Sequence, residues 1–94
     1  MIKETEAAAV KEGSRLAVNG RIWLKVLKEH QPEKDPNSPS ETKAFDVELD
    51  DGTRTAMYVT WHRDLSAHSA SVKVGNGIFD VNGINTETER DNLK

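Results

Sequence analysis

Three histidines, His30, His62 and His68, are the residues of this chain best suited to bind a transition metal. Their separations match neither the closely spaced pair of a helical zinc site nor the ligand pattern of a zinc finger. The chain also has no cysteine, which excludes thiolate ligands and disulfides. We therefore interpret all three as surface histidines and expect no metal ion at them.

Acidic residues in the middle of the chain offer oxygen ligands for a hard cation. Asp46, Glu48 and Asp50 alternate with apolar residues, and Asp51 follows directly. Such alternation spreads the carboxylates along the wet face of one strand, and the pattern of a calcium loop is missing. We expect neither a metal nor any other cofactor here.

Motifs for nucleophilic or phosphate chemistry are also missing from the sequence. No Gly-x-Ser-x-Gly elbow is present to activate a serine. Gly75-Asn76-Gly77 is too short to cradle a phosphate and lies between two strand-like stretches, without the helix that a dinucleotide site needs. Glycines of a tight turn explain it better. The sequence therefore predicts a protein that is not an enzyme.

Four residues have side chains that suit binding rather than catalysis: Trp23, Trp61, Tyr58 and Arg63. On the face of a small barrel they would form a surface on which the bases of a single nucleic-acid strand stack. Such binders normally carry a basic groove as well, whereas the net charge of this chain is −3. The alternative, which we favour, is that the two tryptophans are core or subunit-contact residues.

Length and composition limit the class of protein. A chain of 94 residues predicts one domain with a small core. The N-terminus lacks the pattern of a signal peptide, and no apolar run reaches the roughly 20 residues that span a bilayer. We expect a protein of the cytoplasm with no membrane partner.

Charge is unevenly distributed along the chain. Between residues 33 and 51 there are seven acids and two lysines, namely Glu33, Asp35, Glu41, Asp46, Glu48, Asp50 and Asp51 against Lys34 and Lys43. The simplest interpretation is a solvated loop and strand edge. The alternative is an acidic patch that meets a basic partner, or that lines a path for DNA without gripping it.

Two segments are expected to lie outside the strands. Residues 1–14 favour a helix through Ala7-Ala8-Ala9, but one so short is marginal in isolation, so we predict a helical or flexible arm. Residues 31–43 contain three prolines and no large apolar residue, which predicts neither strand pairing nor a place in the core. We expect this long polar loop to be mobile.

The rest of the chain alternates apolar and polar residues with the period of β-strands. Asn19-Gly20 suits a type I′ turn and predicts a hairpin between residues 15–18 and 21–27. Asp51-Gly52 predicts a second hairpin, between residues 44–50 and 53–61.

Further short strands follow the second hairpin. We predict a loop at residues 63–71, strands at 72–74 and 78–81 joined by an Asn76-Gly77 turn, and an edge strand within 86–93. Five to seven antiparallel strands predict an all-β fold, a small antiparallel β-barrel forming a single domain over residues 15–94.

The segment from Tyr58 to Leu93 resembles the C-terminal half of the phage head–tail joining proteins, also called head-closure, stopper or adaptor proteins. In that family a strand ending in a basic–aromatic pair precedes a valine strand, a glycine turn, an aromatic–hydrophobic strand and a polar closing segment. Here these positions correspond to Val59-Thr60-Trp61 with Arg63, Val72-Lys73-Val74, Gly77 to Val81, and Asn85 to Leu93. The family's earlier tryptophan corresponds to Trp23.

The resemblance implies a structural role. Such proteins are small β-barrels, monomeric when isolated, that form a homo-oligomeric ring against the portal or adaptor ring and the tail proteins. They retain DNA that passes nearby without sequence-specific binding, and they belong to the virion after assembly in the host cytoplasm. The implied subunit interface contains Trp23, Trp61, Arg63, Asp64, Glu87 and Arg90. The implied channel or partner loop contains Glu33, Lys34, Asp35, Asn37, Ser38 and Glu41.

Overall fold

The computed structural model describes residues 1–31, 33–34, 37 and 39–86, with residues 33 and 34 described by their backbone. Among these residues a single short helix, α1 (Glu4–Ala8), precedes eight strands. These are β1 (Arg15–Val18), β2 (Ile22–Glu29), β3 (Glu33–Lys34), β4 (Ser40–Leu49), β5 (Arg54–His62), β6 (Ala67–Val74), β7 (Gly77–Val81) and β8 (Ile84–Thr86). All the ladders are antiparallel, which confirms the predicted all-β fold.

The first predicted hairpin, β1–β2, is confirmed. Asn19 and Gly20 both have positive φ, 54° and 68°, as a type I′ turn requires. The Arg21 N–H donates to the Val18 carbonyl across the turn, at 3.1 Å. The ladder pairs Val18 with Ile22, so Arg21 is an extra residue at the start of the second strand.

The second predicted hairpin, β4–β5, is also confirmed, but it is longer than predicted. A three-residue loop closes it, with Gly52 at φ 87° and the Leu49 N–H bonded to the Thr53 carbonyl at 2.8 Å. The ladder then continues from Glu48–Arg54 as far as Ser40–His62.

The expectation that residues 31–43 form no ladder is therefore wrong. Residues 40–43 form the end of β4 that lies farthest from the turn, and β3 pairs with Thr42 and Glu41 on the other side of that strand. Pro39 directly precedes β4. The prolines interrupt the sequence pattern, but the register set by the β4–β5 turn extends past Ala44 and provides the hydrogen bonds of this part of β4.

Two boundaries after β5 also differ from the prediction. The predicted loop at residues 63–71 is shorter, because β6 already begins at Ala67 and pairs with His62. The following turn contains Gly75 and Asn76, not Asn76 and Gly77, since Val74 pairs with Gly77. Gly75 at φ 60° takes the first central position, where the backbone conformation favours glycine.

The sheet is strongly curled, and the reason lies in the chain connection between its two end strands. The strand order is β7-β6-β5-β4-β2-β1-β8, so β7 and β8 lie at opposite ends of the sheet. Only Asn82 and Gly83 join them. Three Cα–Cα steps span at most roughly 11 Å. The two ends of the sheet must therefore approach each other, which gives a half-barrel.

Asn19 fastens the place where the two ends meet, which we call the seam. Its side-chain amide donates to the Asp80 carbonyl at 2.9 Å, and its Oδ1 accepts from the Asn82 N–H at 2.6 Å. Its own N–H donates to the Gly83 carbonyl at 2.8 Å. The β1–β2 turn thus holds the β7–β8 connection.

The core lies inside the curl and is made of alternating strand residues. Its largest fully buried side chains are Phe45, Leu16, Leu24, Met57, Val18, Val26, Val47, Val72 and Val81. Tight apolar burial of this kind is the main stabilising contribution to so small a domain.

The N-terminal arm belongs to this core. Ile2 and Val10 are 6% and 4% exposed and pack within the same cluster as the strand residues. The Ile2 N–H donates to the His68 carbonyl at 3.0 Å, and Glu6 accepts from the Ile84 N–H at 2.7 Å. The strands begin at Arg15, but the packed body begins at residue 2.

Candidate functional site

A row of three side chains crosses the concave side of the sheet beyond the core. Glu41 on β4 pairs with Trp61 on β5, and Trp61 pairs with His68 on β6. By strand alternation Trp61 shares its face with Met57 and Val59, both buried. The row therefore continues the inner face of the sheet to a place where the core no longer fills it.

Helix α1 forms the opposite wall, and the two walls enclose a groove of about 370 Å³ that we call the Trp61 groove. Its floor is apolar and comes from both walls: Ala7, Ala8, Val10, Phe45 and Val59. Trp61 and His68 form its aromatic side, with ring centroids 4.6 Å apart and planes tilted by 44°. Glu4, Glu41 and Lys43 lie at its rim.

The charge of the groove is negative. Lys43 lies 3.4 Å from Glu29, in an ion pair whose side chains are about two-fifths exposed. Glu4 and Glu41 form no ion pair within the described part of the chain. Two carboxylates with no ion-pair partner among the described residues thus flank an indole ring that is only half-buried.

Trp23, the other predicted interface tryptophan, lies on the outer face of the sheet. Its neighbours Leu24 and Val26 are buried, whereas Trp23 is half-buried and the Arg15 guanidinium sits 4.6 Å above its ring. Arg15 also contacts Asp50 at 3.2 Å. Trp23 is therefore not a core residue, and it lies away from the Trp61 groove.

Arg63 and Asp64 are exposed in the turn that follows β5. The Arg63 N–H donates to the Pro39 carbonyl at 2.9 Å, which ties this turn to the start of β4. Asn37 is exposed in a turn before β4. The predicted residues Asp35, Ser38, Glu87 and Arg90 lie outside the described residues, as do the side chains of Glu33 and Lys34.

The predicted stacking surface is not formed. Tyr58 and Trp61 differ by an odd number of residues on one straight strand, so they lie on opposite faces of the sheet. The period-two alternation of β5 in the sequence is enough to predict that these two side chains lie on opposite faces. Glu41, which the sequence assigned to a separate loop, is the residue that the structure brings to Trp61 instead.

Glu4, Lys43 and His68 are groove residues that sequence reasoning missed. Continuing the period-two pattern of β4 backwards from Phe45 through Lys43 would have placed both Lys43 and Glu41 on the core-facing side. Nothing in the local pattern indicates that α1 packs over this end of the sheet.

The histidines and acids make separate local contacts. His30 lies 3.1 Å from Asp46, and His62 Nε2 lies 2.7 Å from the Ser69 hydroxyl. Among the described residues, no group of three His, Asp or Glu side chains could hold one metal ion. Within the same residues, no helix is both long and apolar enough to cross a membrane.

A second surface feature is apolar and lies on β7, an end strand of the described sheet. Ile78 is 67% exposed and Phe79 is 51% exposed. A cavity of about 630 Å³ lies beside Phe79, between it and the seam.

Comparisons with protein-family models, with curated proteins and with solved structures find no match to this chain.

Proposed function

We propose that this chain is a non-catalytic structural component of a phage head–tail connector. In this role its copies form a ring against the portal or adaptor ring, help to retain packaged DNA and offer a docking surface to the tail. The free subunit is monomeric in the host cytoplasm and becomes part of the virion on assembly. The resemblance of residues 58–93 to the head–tail joining proteins is the starting point.

The exposed apolar pair on β7 is the observation that carries the proposal. Large apolar side chains gathered on an end strand are a frequent mark of a protein–protein contact, since burial between subunits removes them from water. A ring requires a contact between two different surfaces of neighbouring subunits. Ile78 and Phe79 are consecutive residues, so β7 exposes one apolar side chain on each face. The edge of β7 with these two side chains supplies one such surface, and it lies inside the segment that carries the family resemblance.

The acidic character of β4 supports the same role. Asp46, Glu48 and Asp50 lie on or next to this strand and are exposed or half-exposed. Each contacts a basic side chain, which leaves fewer cations available to phosphates. A subunit that surrounds passing DNA benefits from few phosphate contacts, because each one would retard the duplex.

Electron microscopy of portal rings mixed with the purified protein tests the proposal. The portal protein encoded nearest to the gene of this chain is the one to use. We expect an additional ring of density on the portal, and we expect the double variant I78S/F79S to give bare portal rings while remaining folded. Bare rings with the unaltered protein, or a gene remote from all portal and capsid genes, would refute the connector role.

The alternative function is a small-barrel binding module for single-stranded nucleic acid or a peptide. The Trp61 groove supports its peptide form, because a half-buried indole faces an apolar floor there. Its acidic rim is unsuited to phosphates. Titration of tryptophan fluorescence with short oligonucleotides separates the two forms: salt-sensitive quenching at micromolar strand would favour nucleic acid.

A further inference from the structure

We infer that the Trp61 groove binds an arginine side chain presented by a partner protein. This inference goes beyond the connector proposal and does not depend on it, because it rests only on the chemistry of the groove. The occupant is an exposed, arginine-bearing peptide segment.

The indole ring provides the first reason. Trp61 is half-buried and lines the groove beside His68, whose ring centroid lies 4.6 Å from that of the indole at a tilt of 44°. A guanidinium stacks on an indole face through cation–π attraction, for which tryptophan is the best of the aromatic residues. The same fold already shows such a pair on its other face, where Arg15 covers Trp23 at 4.6 Å.

The carboxylates provide the second reason. Glu41 lies directly across the ladder from Trp61, and Glu4 lies on the helical wall. A guanidinium presents several N–H donors in one plane, so it can stack on the ring and donate to a carboxylate beside it. Within the described residues, neither carboxylate has an ion-pair partner that would compete.

The size and floor of the groove provide the third reason. A groove of about 370 Å³ is at the small end of the range for ligand pockets, which suits one long side chain better than a folded element. Its floor of alanine, valine and phenylalanine can cover the methylene stem of an arginine. A nucleic-acid strand would instead bring phosphates against Glu4 and Glu41.

Two-dimensional amide spectra of the protein test the inference. The probe is the peptide acetyl-Gly-Gly-Arg-Gly-Gly-amide, and the matched probe replaces arginine by citrulline, which has the same shape without the charge. We expect the arginine peptide to shift the Trp61 indole N–H signal, with saturation in the millimolar range expected for one side chain. The Trp23 indole signal is an internal control and should remain in place.

Charge variants of the groove give effects of opposite sign. Loss of one charge-assisted hydrogen bond in E41Q should weaken binding about three- to tenfold, and E4Q should weaken it about twofold to threefold. K43Q removes a cation from the rim and should tighten binding about twofold. The control is E48Q, the same change on the same strand but on the opposite face, and it should leave the affinity unchanged.

Three results would overturn the inference. The first is equal binding of the citrulline peptide, which would make the groove an apolar surface without preference for a cation. The second is unchanged affinity in E41Q and E4Q, each shown by circular dichroism to be folded. The third is binding of an oligothymidylate with displacement of the arginine peptide, which would indicate a nucleic-acid site.

Discussion

At the scale of single residues, Asn19 joins the first hairpin turn to the connection between β7 and β8. It is exposed, yet its side chain joins two stretches of chain that are more than sixty positions away, at 2.9 Å and 2.6 Å. It also holds a positive φ of 54°, a conformation that asparagine tolerates better than most residues. One residue therefore serves both the first hairpin turn and the closure of the half-barrel.

Substitution of Asn19 separates these two roles. N19G keeps the turn but loses both side-chain hydrogen bonds, and it should lower the free energy of unfolding by about 1–2 kcal/mol. N19A loses the bonds and also strains the turn, and it should cost about 1 kcal/mol more. Urea denaturation of the three proteins measures both differences. Equal stability of N19G and the unaltered protein would show that the seam contributes nothing.

Asp51 shows a second effect at this scale, in the β4–β5 turn. Hydrogen bonds from the Thr53 side chain and backbone hold the pKa of the Asp51 carboxyl below its usual value of 3.8. The Thr53 N–H donates to Oδ1 at 2.9 Å. A folded pKa below the unfolded one means that the ionised form stabilises the turn above about pH 3.8, and that this contribution is lost as the pH falls through the folded pKa.

The variant T53A tests this assignment. It removes the larger of the two causes and leaves the backbone donor in place, so the pKa of Asp51 should rise some of the way towards 3.8. Carboxyl carbon shifts followed from about pH 2 to pH 6 give the value directly.

At the scale of elements, the N-terminal arm differs most from what its sequence suggests. Helix α1 has only five residues and would be marginal alone, as predicted. Tertiary contacts hold it in place: Ile2 and Val10 are buried in the core, and Glu6 and Glu12 accept backbone hydrogen bonds from Ile84 and Glu29. Whether the arm moves in solution stays a prediction.

A pair of alanine substitutions in the arm measures this packing. V10A removes two buried methyl groups and should lower the free energy of unfolding by about 1.5–3 kcal/mol. K11A changes the exposed neighbouring residue and should lie within about 0.5 kcal/mol of the unaltered protein. A V10A protein as stable as K11A would mean that the arm is detached in solution.

The elements also show what the sequence can predict. Asn19-Gly20 and Asp51-Gly52 specify two hairpins, because the backbone conformations of their turns are strongly restricted. Period-two alternation identifies Phe45, Met57 and most other core residues for a similar local reason. The placement of β8 beside β1, and of α1 over the end of β4–β6, depends on contacts between residues far apart in the chain, and no local pattern encodes those.

In the candidate site, too, the residues could be identified from local sequence patterns, but their contact could not. Trp61 was identified from its residue type, and Glu41 from the acidic run around it. Their meeting depends on the register of β4 against β5, which the distant turn at Gly52 fixes. The prolines before Ser40 interrupt the alternating pattern, so the sequence does not predict that β4 begins there. Glu41 was therefore assigned to the predicted loop at residues 31–43, and Trp61 to a predicted strand.

At the scale of the whole molecule, the body is elongated, with extents of 43 × 27 × 22 Å. It presents two surfaces of different chemistry, the acidic Trp61 groove and the edge of β7, which exposes one large apolar side chain on each face. The first suits a cation and the second suits another apolar surface, so the molecule has the means to contact two unlike neighbours. The connector role requires such a subunit.

The β7 surface should affect assembly and leave folding unchanged. I78S changes a side chain that is 67% exposed, so the midpoint of urea unfolding should move little, corresponding to about 0.5 kcal/mol or less. Association with portal rings, followed by co-sedimentation, should fall in I78S. The control is K73S, at the position paired with Ile78 on β6. Undiminished association in I78S would assign the contact to another surface.

The short connection between the two end strands has a consequence for biosynthesis. Glu6 near the start of the chain bonds to Ile84, and Asn19 bonds to Asn82. A nascent chain can form its central hairpins while the ribosome is still adding residues, but it cannot close the curl until residue 86 has emerged from the exit tunnel. The inner face of the sheet therefore stays uncovered until β8 has left the tunnel, and the half-barrel closes only at that point.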